Sequence, residues 1–308
     1  MPTLIERYEL HQMRTGLAPG TIKLRHDQYM RFEKATGIAL DTHIKAEQIQ
    51  EWLDTLVMAS GKRKGQPISD KTRSCYITSF SSMYKWATNQ DIIGKNPIDK
   101  IERPKVHAGM PNPIPEDQLA MAIRKASPLL RCWIAFEAYG GLRCMEVATL
   151  EATDILWDER QVRVRKGKGG KARRVPLHGE MSRALRAYDK LERHHRATAF
   201  RDDGDGRLWP RCSAASVSQR INRFYHGMGI VHTAHKNRHR AGTQAHKASG
   251  GDLLVVQRFL GHSNPATSAV YAGLDDEEVQ TAIMAIPVAG RKANEAPDLY
   301  DDDEQIAQ

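Results

Sequence analysis

Apolar side chains recur at helical spacing through the N-terminal third of the chain. A helix is predicted over residues 21–35, directly after the turn-forming sequence Ala18-Pro19-Gly20. Two further stripes repeat every three or four positions: Ile49, Trp52, Leu53 and Leu56, and then Tyr76, Ile77, Phe80, Met83, Tyr84 and Ala87. Because such residues share one side of a helix, residues 1–103 are predicted to form an all-helical domain.

Proline interrupts the chain between positions 104 and 115. This segment contains Pro104, Pro111, Pro113 and Pro115, together with Gly109 and Asn112. So much proline favours an extended linker, and 308 residues are enough for two domains. We therefore expect a helical domain at 1–103, a linker at 104–115, a second domain at 116–290 and a tail at 291–308.

The second domain is predicted to combine helices with a small sheet. An apolar helix containing Trp133 and Ile134 is broken at Gly140-Gly141, after which Arg143 opens a new helix that runs through Leu150. Three short strands alternate around a glycine-rich turn at 167–171, and they span residues 154–157, 161–165 and 173–176. The expected fold class is mainly α with a small antiparallel β-sheet in the C-terminal domain.

Further helices are predicted towards the C-terminus. One covers residues 236–247 and begins close to His235, and Asp252 is the expected N-cap of the next, which Gly261 ends. The buried stripe of that second helix is predicted to contain Leu253, Val256 and Leu260.

Two more helical segments follow. Asn264-Pro265 is predicted to open a short helix that ends near Tyr271. Residues 275–286 are predicted to form an amphipathic helix, and its apolar face contains Val279, Ile283 and Ile286.

The chain is basic, with 46 Lys and Arg against 37 Asp and Glu. Six of the acids lie from Glu295 onward with no base among them, so the preceding residues carry +15 from 46 basic and 31 acidic side chains. Such a body attracts DNA phosphates in a salt-dependent way, although ribosomal and membrane-surface proteins are basic too. The acidic tail is expected to be a disordered solubilising end, and the alternative is that it covers the basic DNA face until DNA displaces it.

Nothing in the sequence marks export. Residues 1–20 lack the apolar core of a signal peptide, and no apolar run approaches membrane-spanning length. The four cysteines are scattered without a paired motif, which suits a reducing compartment. We expect a cytoplasmic protein that acts on the nucleoid DNA of a bacterial or phage-infected cell and has no membrane partner.

Residue types suited to attack on a phosphodiester are spread over the second domain. A tyrosine hydroxyl is a weak nucleophile at neutral pH, so one that attacks phosphate needs cations, hydrogen-bond donors and a base. Tyr271 is the candidate nucleophile, and Arg143 and Arg238 could grip both non-bridging oxygens with bidentate geometry. Lys168, at the tip of the glycine-rich turn, could protonate the leaving alkoxide.

Each of these residues also has a plainer interpretation. Arg143 could pair with Glu146 on the next helical turn, Lys168 could be a solvated turn lysine, and Tyr271 could be a half-buried core residue. A capping role would explain a histidine that follows a helix-ending glycine, as His262 does.

Metal and nucleotide chemistry are not expected. His235 and His239 are spaced for a metal on a helix, but Lys236 occupies the position where a metalloprotease has its base. The glycine-rich turn lacks the spacing of a nucleotide-binding loop. The sequence therefore predicts an enzyme without a metal or other cofactor.

At these positions the chain resembles the tyrosine recombinase family, also called lambda-type integrases. The motifs are Gly141-Leu142-Arg143-Cys144-Met145-Glu146, Gly167-Lys168-Gly169, His235-x-x-Arg238-His239, Leu260-Gly261-His262 and Thr267-x-x-x-Tyr271. The resemblance covers residues 4–284 and is strongest from Ile114 onward. Asn237 departs from the family, which usually has an apolar residue before the arginine, and this concerns local packing.

The resemblance implies a role for each of six residues. It places the phosphate-gripping arginines on Arg143 and Arg238, the general acid on Lys168, the two histidine positions on His235 and His262, and the nucleophile on Tyr271. It also implies a helical core-binding domain and an α+β catalytic domain that close on DNA as a C-shaped clamp. No arm-binding domain is expected before residue 4.

The implied reaction is two rounds of transesterification, through a 3'-phosphotyrosyl bond and a Holliday junction. Four protomers would act on two double-stranded DNA core sites, with host bending or directionality factors as further candidate partners. The acidic tail and Asn237 favour a phage or mobile-element integrase. A Xer-like chromosome-dimer resolvase, a type IB topoisomerase-like enzyme, a non-catalytic DNA-binding regulator and a metallohydrolase remain as alternatives.

Six basic residues are candidates for contact with DNA: Lys62, Arg63, Lys64, Lys71, Arg73 and Lys171. A solvated charged loop explains any one of them equally well. By analogy with the family, the apolar face of residues 275–286 is expected to pack on a neighbouring protomer.

Overall fold

A computed structural model describes residues 2–41, 44–59, 61, 63–106, 112–165, 172–195, 206–210, 212–261 and 276–290. The chain forms two compact units, Met1–Gly109 and Met110–Gln308. No helix among the described residues is both long enough and apolar enough to cross a lipid bilayer.

The described part of the first unit is helical. Its helices are α1 (Leu4–Arg14), α2 (Pro19–Thr36), α3 (Ala46–Thr55) and α4 (Asp70–Asn89), followed by a 3-10 turn at Pro97–Lys100. Local sequence determines their ends, because Thr3 and Ser69 cap α1 and α4 with side-chain oxygens and Gly37 ends α2 in a left-handed conformation.

An aromatic cluster forms the core of this unit. The ring of Phe32 lies 5.1 Å from that of Trp52 and 5.6 Å from that of Phe80, both edge to face. The apolar stripes predicted for α3 and α4 are buried along their whole length, from Ile49 to Leu56 and from Tyr76 to Ala87. The helical pattern is therefore confirmed here.

The second unit contains eight described helices and one described sheet. The helices are α5 (Glu116–Lys125), α6 (Pro128–Ala138), α7 (Cys144–Ala148), α8 (Gly179–His195), α9 (Ala214–Gly227), α10 (His235–Ala248), α11 (Leu253–Leu260) and α12 (Asp276–Met284). The strands β1 (Ile155–Leu156), β2 (Gln161–Val164) and β3 (Arg173–Pro176) pair antiparallel in sequence order. This confirms the predicted mainly helical fold with a small antiparallel sheet.

The helix α6 lies at the centre of the second unit, packed against α8, α9 and α10. Its residues Trp133, Ile134 and Phe136 are fully buried. Ile114, which falls in the predicted linker, is also buried, and its backbone N–H donates to the carbonyl of Lys236 at 3.4 Å.

The predicted helix after the double glycine is shorter than expected. Arg143 is its N-cap rather than its first residue, and α7 ends at Ala148 instead of Leu150. The hydroxyl of Thr149 donates to the carbonyl of Met145 at 3.0 Å, which satisfies a carbonyl at the helix end.

The buried face of α11 differs from the prediction. Asp252 caps the helix as expected, accepting from the N–H of Leu254 at 2.6 Å. However, Val255 and Phe259 are buried with Leu260, whereas Leu253 is 63% exposed. Leu253 is the first residue of the helix, and the side that faces α10 and α12 begins two positions later.

The apolar face of α12 packs inside its own chain. Val279, Ala282, Ile283 and Ile286 are buried in the core of the second unit, and α12 contacts α10, α11 and β3. The expectation that this face packs on a neighbouring protomer is therefore wrong for this arrangement, because the chain's own core already covers these side chains.

Arg240 anchors the segment that follows α12. It is almost fully buried, and its guanidinium donates twice to the carboxylate of Glu116 at 2.9 Å. It also donates to the carbonyls of Ala138 at 3.2 Å and Pro287 at 2.8 Å. One side chain thus joins the start of α5, the end of α6 and the end of the described chain.

Candidate active site

Three of the six predicted catalytic residues are described: Arg143, His235 and Arg238. Lys168, His262 and Tyr271 lie outside the described residues, as do the glycine-rich turn, the helix predicted at Asn264-Pro265 and the acidic tail.

Arg143 stands at the entrance of α7, directly after a glycine turn. Gly141 has a φ of +61°, and a Cβ at this position would lie 2.7 Å from Cδ2 of Leu260. Only glycine combines that backbone conformation with such a close approach. The turn that precedes α7 therefore lies directly against the end of α11.

Arg238 is buried on α10, and its guanidinium connects the two turns. Nη1 donates to the carbonyl of Gly141, and Nη2 donates to the carbonyl of Leu260 at 2.7 Å. Burial, followed by the charges of Arg143 and Arg173, lowers the pKa of Arg238 to about 9. The guanidinium stays protonated at neutral pH.

Glu146 links two arginines at the base of the site. It accepts from the backbone N–H of Arg143 at 2.9 Å and from Nη1 of Arg143 at 2.8 Å, so the plainer interpretation of Arg143 is present in the structure. Arg173 on β3 donates to both carboxylate oxygens at 2.8 Å and to the carbonyl of Phe259 at 3.2 Å.

The charge state of Glu146 follows from these contacts. Burial acts to raise its pKa, but the hydrogen bonds and charge of Arg173, with those of Arg143, hold the pKa below its usual value. The carboxylate is therefore ionised and holds Arg143 in place. The sequence alone assigns neither Glu146 nor Arg173 to the site, although Glu146 stands in the first family motif, three residues after Arg143.

His235 is the first residue of α10 and is exposed. Desolvation lowers its pKa, and the charges of Arg238, Lys236 and Arg143 act in the same direction. The imidazole is therefore neutral at pH 7 and can accept a proton. Its ring meets that of His239 edge to face at 4.7 Å, and the described residues contain no third ligand that would complete a metal site with this pair.

Asn237, the departure from the family motif, is fully buried. Its side-chain oxygen accepts from the hydroxyl of Tyr225 at 2.8 Å, and its amide donates to Glu137 at 3.0 Å. A polar residue is accommodated at this buried position because each polar end of its side chain has a hydrogen-bond partner.

The assembled site carries excess positive charge. Among the described residues, the positive charge comes from three arginines, Arg143, Arg173 and Arg238, and the ring of His235 is neutral. The arginines are opposed by the carboxylate of Glu146 and, when it is ionised, by the buried carboxyl of Glu137. The net charge is positive in either protonation state of Glu137, which suits the binding of a phosphodiester, and the neutral imidazole can take up a proton.

The DNA-contact candidates of the first unit lie on a closed turn and at the start of α4. Lys62 and Lys171 lie outside the described residues. Arg63 donates to Gln66 at 3.0 Å, and Arg73 forms an ion pair with Asp54. Lys64 and Lys71 are exposed. Arg73 is thus partly neutralised, which makes the two lysines the better candidates.

Known proteins resemble this chain in sequence. A model of the Phage integrase family matches residues 116–278, slightly more than half of the chain. A tyrosine recombinase from Thermosipho africanus is 27% identical over 271 residues, covering 86% of this chain and 93% of the relative. A tyrosine recombinase XerC from Neisseria meningitidis serogroup B is 30% identical over 236 residues, covering 72% of this chain and 76% of the relative.

Solved structures resemble the chain in fold. A lambda integrase dimer bound to a COC' core site aligns with a TM-score of 0.64 at 17% identity, covering 85% of this chain and 94% of that one. The Tn1549 transposon integrase in complex with transposon right end DNA aligns with a TM-score of 0.62 at 19% identity, covering 92% and 98%. At such identities the likeness concerns the fold.

Proposed function

The chain belongs to the phage integrase family and is a site-specific tyrosine recombinase, and from this premise we propose how its residues cut and rejoin DNA. Arg143 and Arg238 hold the scissile phosphate, Tyr271 attacks it, and Lys168 protonates the leaving oxygen. His235 and His262 assist the proton transfers.

The proposal rests on the way in which the guanidiniums of Arg143 and Arg238 are held. Arg238 donates to the carbonyl of Gly141, two residues before Arg143, while Nη2 of Arg143 reaches the carbonyl of Gly261 at 3.5 Å. Two guanidiniums from distant parts of the chain are thereby held at one place by backbone acceptors and by Glu146. A phosphate that enters there meets preorganised donors, which is the arrangement that stabilises a pentavalent transition state.

The proposed transesterification uses neither a metal nor a nucleotide. The Tyr271 oxygen forms a bond to the scissile phosphorus as the bond from phosphorus to the 5' oxygen breaks. The tyrosine proton passes to a neutral imidazole, which we assign to His235, and Lys168 supplies a proton to the 5' oxygen. The 3'-phosphotyrosyl ester keeps the phosphodiester bond energy, so a 5'-hydroxyl from a partner duplex can reverse the step.

The assembly is proposed from the structural neighbours. Lambda integrase has been solved as a dimer on a core site and as a tetramer bound to a Holliday junction. By analogy, this chain would close as a C-shaped clamp on a double-stranded core site, and four protomers would exchange strands between two sites. We place this activity on nucleoid DNA, with host bending or directionality factors as additional partners.

A covalent-capture experiment tests the reaction. The protein is incubated with duplexes of randomised sequence that carry a nick near the candidate cleavage point, so that a short strand diffuses away after attack and the adduct accumulates. Recovery and sequencing of the adducts also yields the core site. We expect a protein–DNA adduct that Tyr271→Phe abolishes and Tyr300→Phe, a control in the acidic tail, does not. An adduct that persists in Tyr271→Phe would show that another residue is the nucleophile.

A Xer-like chromosome-dimer resolvase is the second candidate, because a relative with the name tyrosine recombinase XerC is 31% identical to this chain over 225 residues. Once the core site is known, the two functions separate on plasmids. An integrase joins two different sites, whereas a resolvase deletes the DNA between two identical ones. Efficient deletion between identical sites would favour the resolvase.

A further inference from the structure

A buried chain of hydrogen bonds connects the residues beside the two arginines. The carboxyl of Glu137 on α6 accepts from the thiol of Cys144 at 2.9 Å and from the amide of Asn237 at 3.0 Å. The oxygen of Asn237 in turn accepts from the hydroxyl of Tyr225 at 2.8 Å. Glu137, Asn237 and Tyr225 are all buried.

The placement of these contacts in the sequence is informative. Cys144 directly follows Arg143, and Asn237 directly precedes Arg238. A single carboxyl on α6 therefore connects the first residue of α7 with a residue in the first turn of α10. Each of the two arginines sits one residue from a hydrogen bond to Glu137.

We propose that Glu137, Asn237 and Tyr225 are positioning residues, which hold Arg143 and Arg238 in register while Glu137, as a carboxylate, offsets their charge. This inference rests on the proposed function of the two arginines. None of the three residues needs to touch DNA, since they act through the backbones of α7 and α10 and through the electrostatic interaction of Glu137 with Arg238.

Physical chemistry favours a specific role over a merely stabilising one. A buried carboxyl costs free energy, and apolar side chains of the same size would often stabilise a core equally well or better. A fully satisfied polar network, however, is directional and specifies one geometry. Both Cys144 and Asn237 point donors at Glu137, so the network is built around the ionised carboxylate, which accepts and does not donate.

The protonation of Glu137 should then control the site. Burial raises its pKa to about 7, against the opposing effects of Cys144, Asn237 and Arg238. The groups that interact electrostatically with Glu137 are Cys144 on α7, Tyr225 on α9 and Arg238 on α10. Among the described residues, α5 and α8 also pack on α6 but contribute no comparable effect on the pKa of Glu137. Below that pH the carboxyl takes up a proton and one acceptor is lost, and Arg238 keeps only Glu146 of its two negative neighbours.

The test is the pH profile of DNA cleavage. Single-turnover adduct formation on the nicked duplex is measured from about pH 5 to about pH 9 for the wild type and Glu137→Gln. The wild-type rate should rise through an inflection near pH 7. In Glu137→Gln this inflection should disappear, and the rate at high pH should fall roughly tenfold while DNA affinity stays within about twofold.

Two comparisons distinguish the titration of Glu137 from the titration of His235 and from the general loss of a carboxylate. His235 has a pKa below its ordinary value of 6.5, so its own inflection falls at lower pH and persists in Glu137→Gln. Glu159→Gln removes an exposed carboxylate of the same unit and should leave both the rate and the profile unchanged.

A second variant tests the same network if Glu137→Gln does not fold. The triple change Glu137→Leu, Asn237→Leu and Tyr225→Phe replaces the network with apolar side chains and should retain the melting temperature. Its cleavage should be slow and should lack the inflection near pH 7. Either folded variant with the wild-type rate and profile would overturn the proposal. A wild type that forms no adduct at all would instead remove the proposed function, and this inference with it.

Discussion

Arg173 is expected to matter as much as the arginines that were assigned to the phosphate. Its side chain is 10% exposed, and it makes a bidentate pair with Glu146, whose side chain is 1% exposed. In Arg173→Ala, Glu146 would keep Arg143 as its charged hydrogen-bond donor. Breaking a buried pair by removing one partner costs about 3 to 5 kcal/mol, and we expect about 3 kcal/mol because Arg143 remains.

The effect on catalysis follows from the same contacts. Without Arg173, the carboxylate of Glu146 draws Arg143 further towards itself, and the carbonyl of Phe259 loses a donor beside the end of α11. We expect single-turnover adduct formation to fall roughly 100-fold, the scale of a 1 Å misplacement at a reacting centre. Arg173→Lys should be intermediate, because an ammonium cannot donate in a bidentate fork.

The next residue provides a matched control. Arg174 is 57% exposed and pairs with the exposed Glu159, so Arg174→Ala should cost less than about 1 kcal/mol. Denaturant unfolding and thermal melting measure both variants, and 3 kcal/mol corresponds to a loss of roughly 6 to 12 °C for a unit of this size. Equal stability and equal cleavage rates in Arg173→Ala and Arg174→Ala would refute the reasoning.

Four further changes test other parts of the molecule. Arg240→Ala removes the donors to Glu116 and to two backbone carbonyls, so it should lower the free energy of unfolding by about 3 kcal/mol and expose the segment after α12 to limited proteolysis. An unchanged pattern of proteolytic cleavage would contradict the role of Arg240 in holding this segment. The pKa of Glu146 is lower in the folded protein than its unfolded value of 4.5, so its ion pairs stabilise the fold above pH 4.5. This stability is lost as the pH falls through the folded pKa, and Glu146→Gln should therefore flatten the acid side of a curve of stability against pH. Lys71→Ala should weaken DNA binding and reduce the slope of log affinity against log salt by about 1, whereas an unaltered slope would assign this lysine to solvent. Truncation after Gly290 should raise DNA affinity at low salt if the acidic tail covers the DNA face, and equal affinities would leave the tail as a solubilising end.

Local pattern was sufficient for most of the secondary structure. The stripe along α4 was recognisable because every third or fourth residue is large and apolar, and Asp252 and Gly261 marked the ends of α11 through capping chemistry that needs no distant partner. Arg143, His235 and Arg238 were found through motif spacing, and the structure brings these three together.

Predictions that depended on a distant partner were less successful. Leu253 has the same helical spacing as a buried residue, yet it is exposed because the neighbours of α11 lie on another side. The apolar face of α12 was assigned to a neighbouring protomer, but periodicity shows only that a face will be buried and does not identify what covers it. Asn237 was a departure without explanation until Glu137 and Tyr225 were seen beside it.

Helix periodicity, capping and motif spacing are properties of neighbouring positions. The fold class, the helical first unit and the identities of the candidate phosphate-binding residues could therefore be predicted from the sequence. The folded chain was needed to see that the carbonyls of Gly141 and Leu260 hold Arg238, and which carboxyls share the charge of the arginines. Hydrogen bonds and electrostatic interactions act through space between residues that are far apart in the chain, so their partners are determined by packing.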